Sequence, residues 1–205
     1  MFISFEGLDY SGKTTQAAIL ADALKRDGRE VLLLREPGGT AISEKVRSIL
    51  LDGEHGELTS VAELLLFSAA RNQLVQQVIR PALEKKKIVI CDRFVDSTTV
   101  YQGFGRGLNL EDVKAVNRIS TGGIMPEFTF FLDIEVEEML RRRKVARGTA
   151  DRMESSGIEF FRRVRDGFWS LAQESPIRFI VINGTRSIDL IHSEIRDLIY
   201  KKASL

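Results

Sequence analysis

The stretch Gly7-Leu8-Asp9-Tyr10-Ser11-Gly12-Lys13-Thr14 decides how this chain is read. Two glycines, an intervening run of four residues, and a terminal lysine–hydroxyl pair make the full pattern of a phosphate-binding loop. The glycines let backbone N–H groups turn inward and cradle phosphate oxygens. Lys13 supplies a point charge at the β- and γ-phosphates, and the Thr14 hydroxyl is a Mg²⁺ ligand. The flanks agree. The apolar run Phe2–Glu6 reads as a strand leading into the loop, and Lys13–Asp27 carries a helical pattern whose N-terminus favours anions. The loop therefore points to a nucleoside triphosphate. It leaves open whether water or a second substrate receives the phosphoryl group.

Working outward, Val31–Arg35, Ile88–Cys91, Thr129–Leu132 and Phe179–Ile182 join Phe2–Glu6 as predicted strands. Most are too uniformly apolar to be half exposed. Helical patterns over Lys13–Asp27, Ser60–Glu84, Leu110–Ser120 and Ile158–Gln173 separate them, and a last one covers Ile188–Lys201 with Ser187 as its cap. Pro81 is expected to kink or end the second of these near Arg80. Strands alternating with helices predict an α/β fold with a mainly parallel sheet covered on both faces. With no internal repeat and no long linker, residues 1–205 are expected to form one domain.

Composition narrows the function classes. Thirty Lys and Arg against twenty-nine Asp and Glu give a formal net charge of +1, which removes net basicity as a reason to invoke nucleic acid or an anionic membrane. Cys91 is the only cysteine, so neither an intrachain disulfide nor a thiolate cluster can form. His55 and His192 are too distant in sequence for a short metal motif. No apolar run reaches membrane-spanning length, and Met1 leads into Phe-Ile-Ser-Phe without the pattern of a signal peptide. The expectation is a cytoplasmic protein with no nucleic-acid or membrane partner. An Asn-Lys-x-Asp guanine-reading motif is absent, which weakens a GTPase reading.

Candidates for the acceptor side follow from the strand ends, which face the ligand crevice in a parallel sheet. Asp92 is placed to hold Mg²⁺ through water, and Arg93 offers a rigid fork to a phosphate; the same pair also fits a surface ion pair. Arg35, at the end of another strand, is a second phosphate ligand, followed by a turn rich in Gly and Pro from Glu36 to Thr40. Phe67 and Arg71 share a helix face, so the ring could stack on a base while the guanidinium bonds its edge, or the ring could belong to the core. Leu64, Leu65 and Leu66 beside them predict a helix buried on more than one side, in part by a subunit contact. Tyr101 and Gln102 open a glycine-rich stretch through Gly107, which reads as a flexible loop or as contacts to a base. Residues 141–154 are the most charge-dense segment and fit a solvated helix end, while any other role depends on what the glycine loop binds.

Together these segments resemble the thymidylate kinases of bacterial type, over essentially the whole chain and in order. Phe5-Glu6-Gly7-Leu8-Asp9 through Lys13-Thr14-Thr15 carries the likeness, with Arg35–Thr40, Phe67–Arg71, Asp92-Arg93-Phe94, Ser97, Tyr101-Gln102-Gly103, Gly105-Arg106-Gly107 and Asp151-Arg152. The resemblance implies a P-loop nucleoside-monophosphate-kinase fold with a five-stranded parallel sheet. It implies transfer of the γ-phosphoryl of ATP to dTMP, with Mg²⁺, in a homodimer. It also implies an arginine-bearing lid at about residues 141–154.

Carried over by residue, Asp9 resembles the loop carboxylate near the acceptor 3′-hydroxyl, and Arg35 and Arg93 the dTMP phosphate ligands. Phe67 resembles the ring stacked on thymine, Arg71 the donor to its O4, and Ser97 and Gln102 the remaining polar contacts. Tyr101 resembles the ring that crowds the sugar 2′ position. Two positions depart from common patterns. Tyr10 stands where some members carry an arginine inside the loop, and Phe94 stands where tyrosine is common. The missing positive charge is then expected from the lid, with Arg147 and Arg152 first among Arg141, Arg142, Arg143, Arg147 and Arg152. The rivals are a kinase for another nucleoside monophosphate or for a deoxynucleoside, and a nucleotide-binding switch without an acceptor.

Overall fold

A computed structural model describes residues 1–146 and 151–203, with side chains to residue 201. Five parallel strands, β1 (Phe2–Glu6), β2 (Val31–Arg35), β3 (Ile88–Asp92), β4 (Phe128–Asp133) and β5 (Phe179–Asn183), lie in the order β2-β3-β1-β4-β5. Each strand core coincides with a predicted run. The apolar residues alternate across the sheet because successive side chains point to opposite faces. Ile3 and Phe5 of β1 and Phe130 and Leu132 of β4 face one layer, built by α1 (Lys13–Arg26) and by the C-terminal helix, α9 (Ile188–Ala203), through Leu20, Leu24, Ile191 and Ile195.

The opposite face is covered in two parts. One is the long helical rod from α3 (Ser60–Leu74) through a π-helical turn at Val75–Ile79 into α4 (Arg80–Glu84), packed on Phe2, Val89 and Cys91. Pro81 stands in the first turn of α4, where its missing N–H is tolerated; the irregularity falls one turn earlier as the widened coil. The other is α8 (Ile158–Glu174), whose Phe160, Phe161, Val164 and Phe168 pack with Phe131 and Phe179. Burying each such side chain contributes roughly 1.5–3 kcal/mol.

Two elements differ from expectation. Ala41–Leu51, just past the predicted Glu36–Thr40 turn, forms a helix, α2, that the sequence reading does not include; Thr40 caps it by accepting from Ser43 N at 3.1 Å. The glycine-rich stretch after α5 (Val95–Thr98) is a buried π-helical segment, Thr99–Gly105, and not a flexible loop. Its glycines serve close packing: a Cβ on Gly105 would come within 2.6 Å of the Phe160 ring. Within one chain the Leu64–Leu66 stretch is covered on one side only, and its open side is the one for which a subunit contact is expected. Leu64 is buried, while Val61 and Leu65 stay more than half exposed. The remaining helices are α6 (Leu110–Thr121) and α7 (Val136–Ala146). Among the described residues no helix is long and apolar enough to cross a membrane.

The order of strands places a switch point beside β1, which lies between β3 and β4: β2 and β3 are laid on one side of it, and the chain then crosses to build β4 and β5 on the other. The register sets Phe5 against Asp92, and Arg35 against Asp92. The ends of β1, β2 and β3 therefore converge on one crevice.

Candidate active site

The phosphate-binding loop closes between β1 and α1. Gly7 has φ +138°, and a Cβ there would lie 2.5 Å from Leu132 O, so the entry to the loop has room only for glycine. Tyr10 adopts φ +60°, and Gly12 stands as the left-handed cap of α1. Lys13 folds back on the loop: its Nζ donates to Leu8 O at 2.6 Å and to Ser11 Oγ at 3.5 Å. Burial, reinforced by the Arg93 charge, lowers its pKa to about 8. Thr14 Oγ1 donates to Asp92 Oδ2 at 2.5 Å, and the other carboxylate oxygen, Oδ1, is buried with no hydrogen-bond partner in the structure. This pairing of a hydroxyl with an under-satisfied carboxylate fits Mg²⁺, which takes few protein oxygens and completes its shell with water and phosphate.

Arg93 adopts φ +66° just beyond β3. Its guanidinium pairs with Asp9, donates to Gly7 O at 3.0 Å and to Ser97 Oγ at 3.1 Å, and lies 5.1 Å from the Tyr101 ring centroid. Burial pushes the Asp9 carboxyl up, but Arg93 and Lys13 outweigh it and hold the group below its ordinary range. Beneath this pair, Glu6 fixes the backbone path. It accepts from Phe94 N at 2.7 Å and from Ser97 Oγ at 2.5 Å. Burial and the nearby Asp96 raise its pKa to about 8.

A cavity of about 810 Å³ opens over these strand ends. Asp9, Tyr10, Lys13, Thr14 and Thr15 line it, as do Arg35, Phe67, Arg71, Asp92, Arg93, Ser97, Tyr101 and Gln102. Gly7, Leu8 and Ser11 are not in this lining; the Gly7 carbonyl accepts from Arg93, and Leu8 O and Ser11 Oγ accept from Lys13. Arg71 is almost wholly buried. Nε donates to Glu36 Oε2 at 2.7 Å, Nη1 to Asn117 Oδ1 at 3.3 Å and Nη2 to Phe94 O at 3.2 Å. Burial raises the Glu36 carboxyl although Arg71 opposes the shift. Arg35 instead remains half exposed, donating to Pro37 O and to both oxygens of Glu44.

Two described residues of the charge-dense segment, Arg142 and Glu154, meet the loop at Tyr10. Arg142 lines the cavity and bridges Tyr10 O at 3.2 Å to Gly184 O at 2.9 Å. Arg143 donates to Glu154 O, while the Tyr10 hydroxyl donates to Glu154 Oε2 at 3.2 Å. Arg152 is directed elsewhere: its Nη2 lies 2.6 Å from Glu63 Oε2 and its Nε donates to Leu50 O at 2.8 Å. Arg147 lies outside the described residues.

Several lining or supporting residues escape a reading of the sequence. Thr98 and Arg47 line the cavity, and Glu36 and Glu63 hold the residues that do. Glu63 in the first turn of α3 has the signature of a solvent-facing charge complementing the helix dipole, yet it is 1% exposed. Thr40, three residues before Ser43, was the signal for α2 and hence for Arg47.

Comparison with known proteins agrees with this arrangement. A family model described as "Thymidylate kinase" matches residues 5–195. The thymidylate kinase of Chlorobium luteolum is 50% identical over 201 residues, covering 94% of this chain and 94% of that protein. That of Thermoanaerobacter pseudethanolicus is 48% identical over 200 residues, covering 98% and 97%. The crystal structure of thymidylate kinase from Ehrlichia chaffeensis superposes with a TM-score of 0.80 at 38% identity, over 97% of this chain and 98% of that one. With the loop, the strand-end arginines and the cavity that joins them in one fold, and with the family match over residues 5–195, the chain belongs to the thymidylate kinase family.

Proposed function

We propose that the chain transfers the γ-phosphoryl of ATP to dTMP, giving ADP and dTDP. The observation that carries this reading is the shared cavity, in which Lys13 and the Thr14–Asp92 pair face Phe67, Arg71 and Arg93. One wall suits a triphosphate and the other a monophosphate with a planar base. Lys13 neutralises the β- and γ-phosphates. Arg93 and Arg35 hold the acceptor phosphate, Asp9 addresses the acceptor sugar, and Phe67 and Arg71 read the base. Ser97, Tyr101 and Gln102 complete the acceptor site. Mg²⁺, held by Thr14 and through water by Asp92, would neutralise charge on the phosphates.

The acceptor phosphate is already largely ionised near neutral pH, so a strong general base is not required. Alignment and charge stabilisation by Lys13, Arg93 and the lid arginines carry the rate. We assign residues 141–154 as a lid on the single kinase domain, with Arg147 and Arg152 as the arginines that supply charge absent from the loop. Arg152 must exchange Glu63 for the phosphoryl group to do so. Arg147→Ala and Arg152→Ala are each expected to lower kcat by about 10-fold or more, and if neither does, this role of the lid is rejected.

A homodimer is supported by the exposed apolar side chains Ile42 and Ile49 of α2, Val61 and Leu65 of α3 and Ile119 of α6. Sedimentation equilibrium tests it. The same reading puts the enzyme in the cytoplasm with its nucleotide substrates. A coupled assay with ATP, Mg²⁺ and a panel of nucleosides and monophosphates tests the activity. Turnover of another monophosphate in place of dTMP overturns the substrate but keeps the class, and ATP binding without any transfer leaves a nucleotide switch.

A further inference from the structure

Gln102 lines the acceptor cavity, but its amide is not free to turn. Nε2 donates to Glu63 Oε1 at 2.8 Å, and a carboxylate only accepts, so the nitrogen must face Glu63. Among the described residues no donor reaches Gln102 Oε1, which is left to address a ligand. Glu63 itself is held fast. Arg106 donates Nε to Oε1 at 3.1 Å and Nη2 to Oε2 at 3.2 Å, and Arg152 Nη2 closes on Oε2 at 2.6 Å. Burial works to raise its pKa, but the hydrogen bonds from Arg106 and Gln102 outweigh it, so the group stays ionised near neutrality.

We infer that Glu63 is a positioning residue that sets base selectivity by locking the Gln102 amide with its oxygen toward the acceptor base. This rests on the reading of the cavity as a dTMP site. Arg71, on the same cavity, can only donate. A donor beside an acceptor matches a pyrimidine edge with a 4-carbonyl and an N3–H. A 4-amino pyrimidine presents the reverse, a donor at the 4-position and an acceptor at N3. Locking the amide thus turns an ambidextrous side chain into a one-way reader, and a mismatched base leaves buried polar groups unpaired.

The test measures binding of dTMP and dCMP by calorimetry in wild type, E63Q, and the swapped pair E63Q/Q102E. In E63Q the oxygen of the new amide is expected at the Oε2 position, where Arg106 Nη2 and Arg152 Nη2 converge, and its nitrogen turns to Gln102 at the cost of the single Arg106 Nε bond. The Gln102 amide then reverses and offers a donor to the base. The preference for dTMP over dCMP is expected to fall at least about 10-fold. In the swapped pair the carboxylate introduced at position 102 presents an acceptor in any rotation, so the preference is expected to return to within about threefold of wild type.

A selective wild type whose E63Q variant is equally selective overturns the role of Glu63 alone. Loss in E63Q without recovery in the swapped pair overturns it as well, assigning the effect to the arginines. If E63Q does not fold, the swapped pair, which keeps one carboxylate and one amide in the 63–102 contact, carries the test, and loss of its selectivity overturns the inference. A wild type that binds both nucleotides equally overturns the functional reading itself.

Discussion

The two walls of the cavity are built on opposite principles. On the base side, Arg71, Glu36 and Glu63 are buried; Arg71 is tied to Glu36, Asn117 and Phe94 O, Glu63 to Gln102, Arg106 and Arg152, and only Glu36 keeps one oxygen, Oε1, without a partner among the described residues. On the phosphate side the charges occupy substitute contacts: Lys13 on Leu8 O, Thr14 on Asp92, Arg93 on Asp9 and half-exposed Arg35 on Glu44. The difference follows from the ligand. A base is neutral and is told from its rivals by one or two hydrogen bonds, so its reader must be rigid before it arrives. A polyanion brings enough charge to displace these placeholders, and the groups that hold it must be able to move.

The sharpest way to break this comparison is Arg71→Ala. It leaves the Glu36 carboxylate buried without its cation and is expected to destabilise the fold by about 3–5 kcal/mol. A fall in Tm on the order of 10 °C in calorimetry would register that, with loss of dTMP binding. Lys13→Ala should do the reverse. Its substitute contact is a loop carbonyl, so Tm should shift by less than about 2 °C, while kcat falls by about 10²–10³-fold in a coupled assay. If Lys13→Ala unfolds the protein, or Arg71→Ala leaves Tm unchanged, the two walls are not built differently.

Smaller effects sharpen the contrast. Because burial depresses the Lys13 pKa to about 8, its positive charge is present below that pH and lost as pH rises through it. ATP binding to the free protein should be flat below pH 7 and weaken about tenfold by pH 9, and Lys13→Ala should show no such break in fluorescence titrations. Arg35→Ala removes an exposed pair with Glu44 and should change stability by less than about 1 kcal/mol in urea titrations. It should raise KM for dTMP by about 10-fold, the worth of one partly solvated phosphate contact.

The loop, the five strands and most helices were legible because each is a local matter. A glycine–lysine–hydroxyl spacing, an apolar run and a 3.6-residue period all lie within a dozen residues of one another. The set of strand-end residues was legible for a related reason: a parallel sheet delivers Arg35, Asp92 and the loop to the same edge once the strands are placed. The buried π-helical segment was not. Glycines at 103, 105 and 107 read as flexibility, and only the approach of Phe160 and Leu110 turns two of them into packing surfaces.

What the sequence determined by itself was therefore the phosphate chemistry and the sheet that presents it, since both are encoded in contiguous pattern. What only the tertiary structure decided was the state of the charges. Glu63 lies 39 residues from Gln102 and 89 from Arg152, and Glu36 lies 35 from Arg71. Nothing in the local sequence of either glutamate separates it from a solvated surface carboxylate. Burial and hydrogen bonding fix a charge's partner and its orientation, and both depend on which distant segments the fold brings to the same few ångströms.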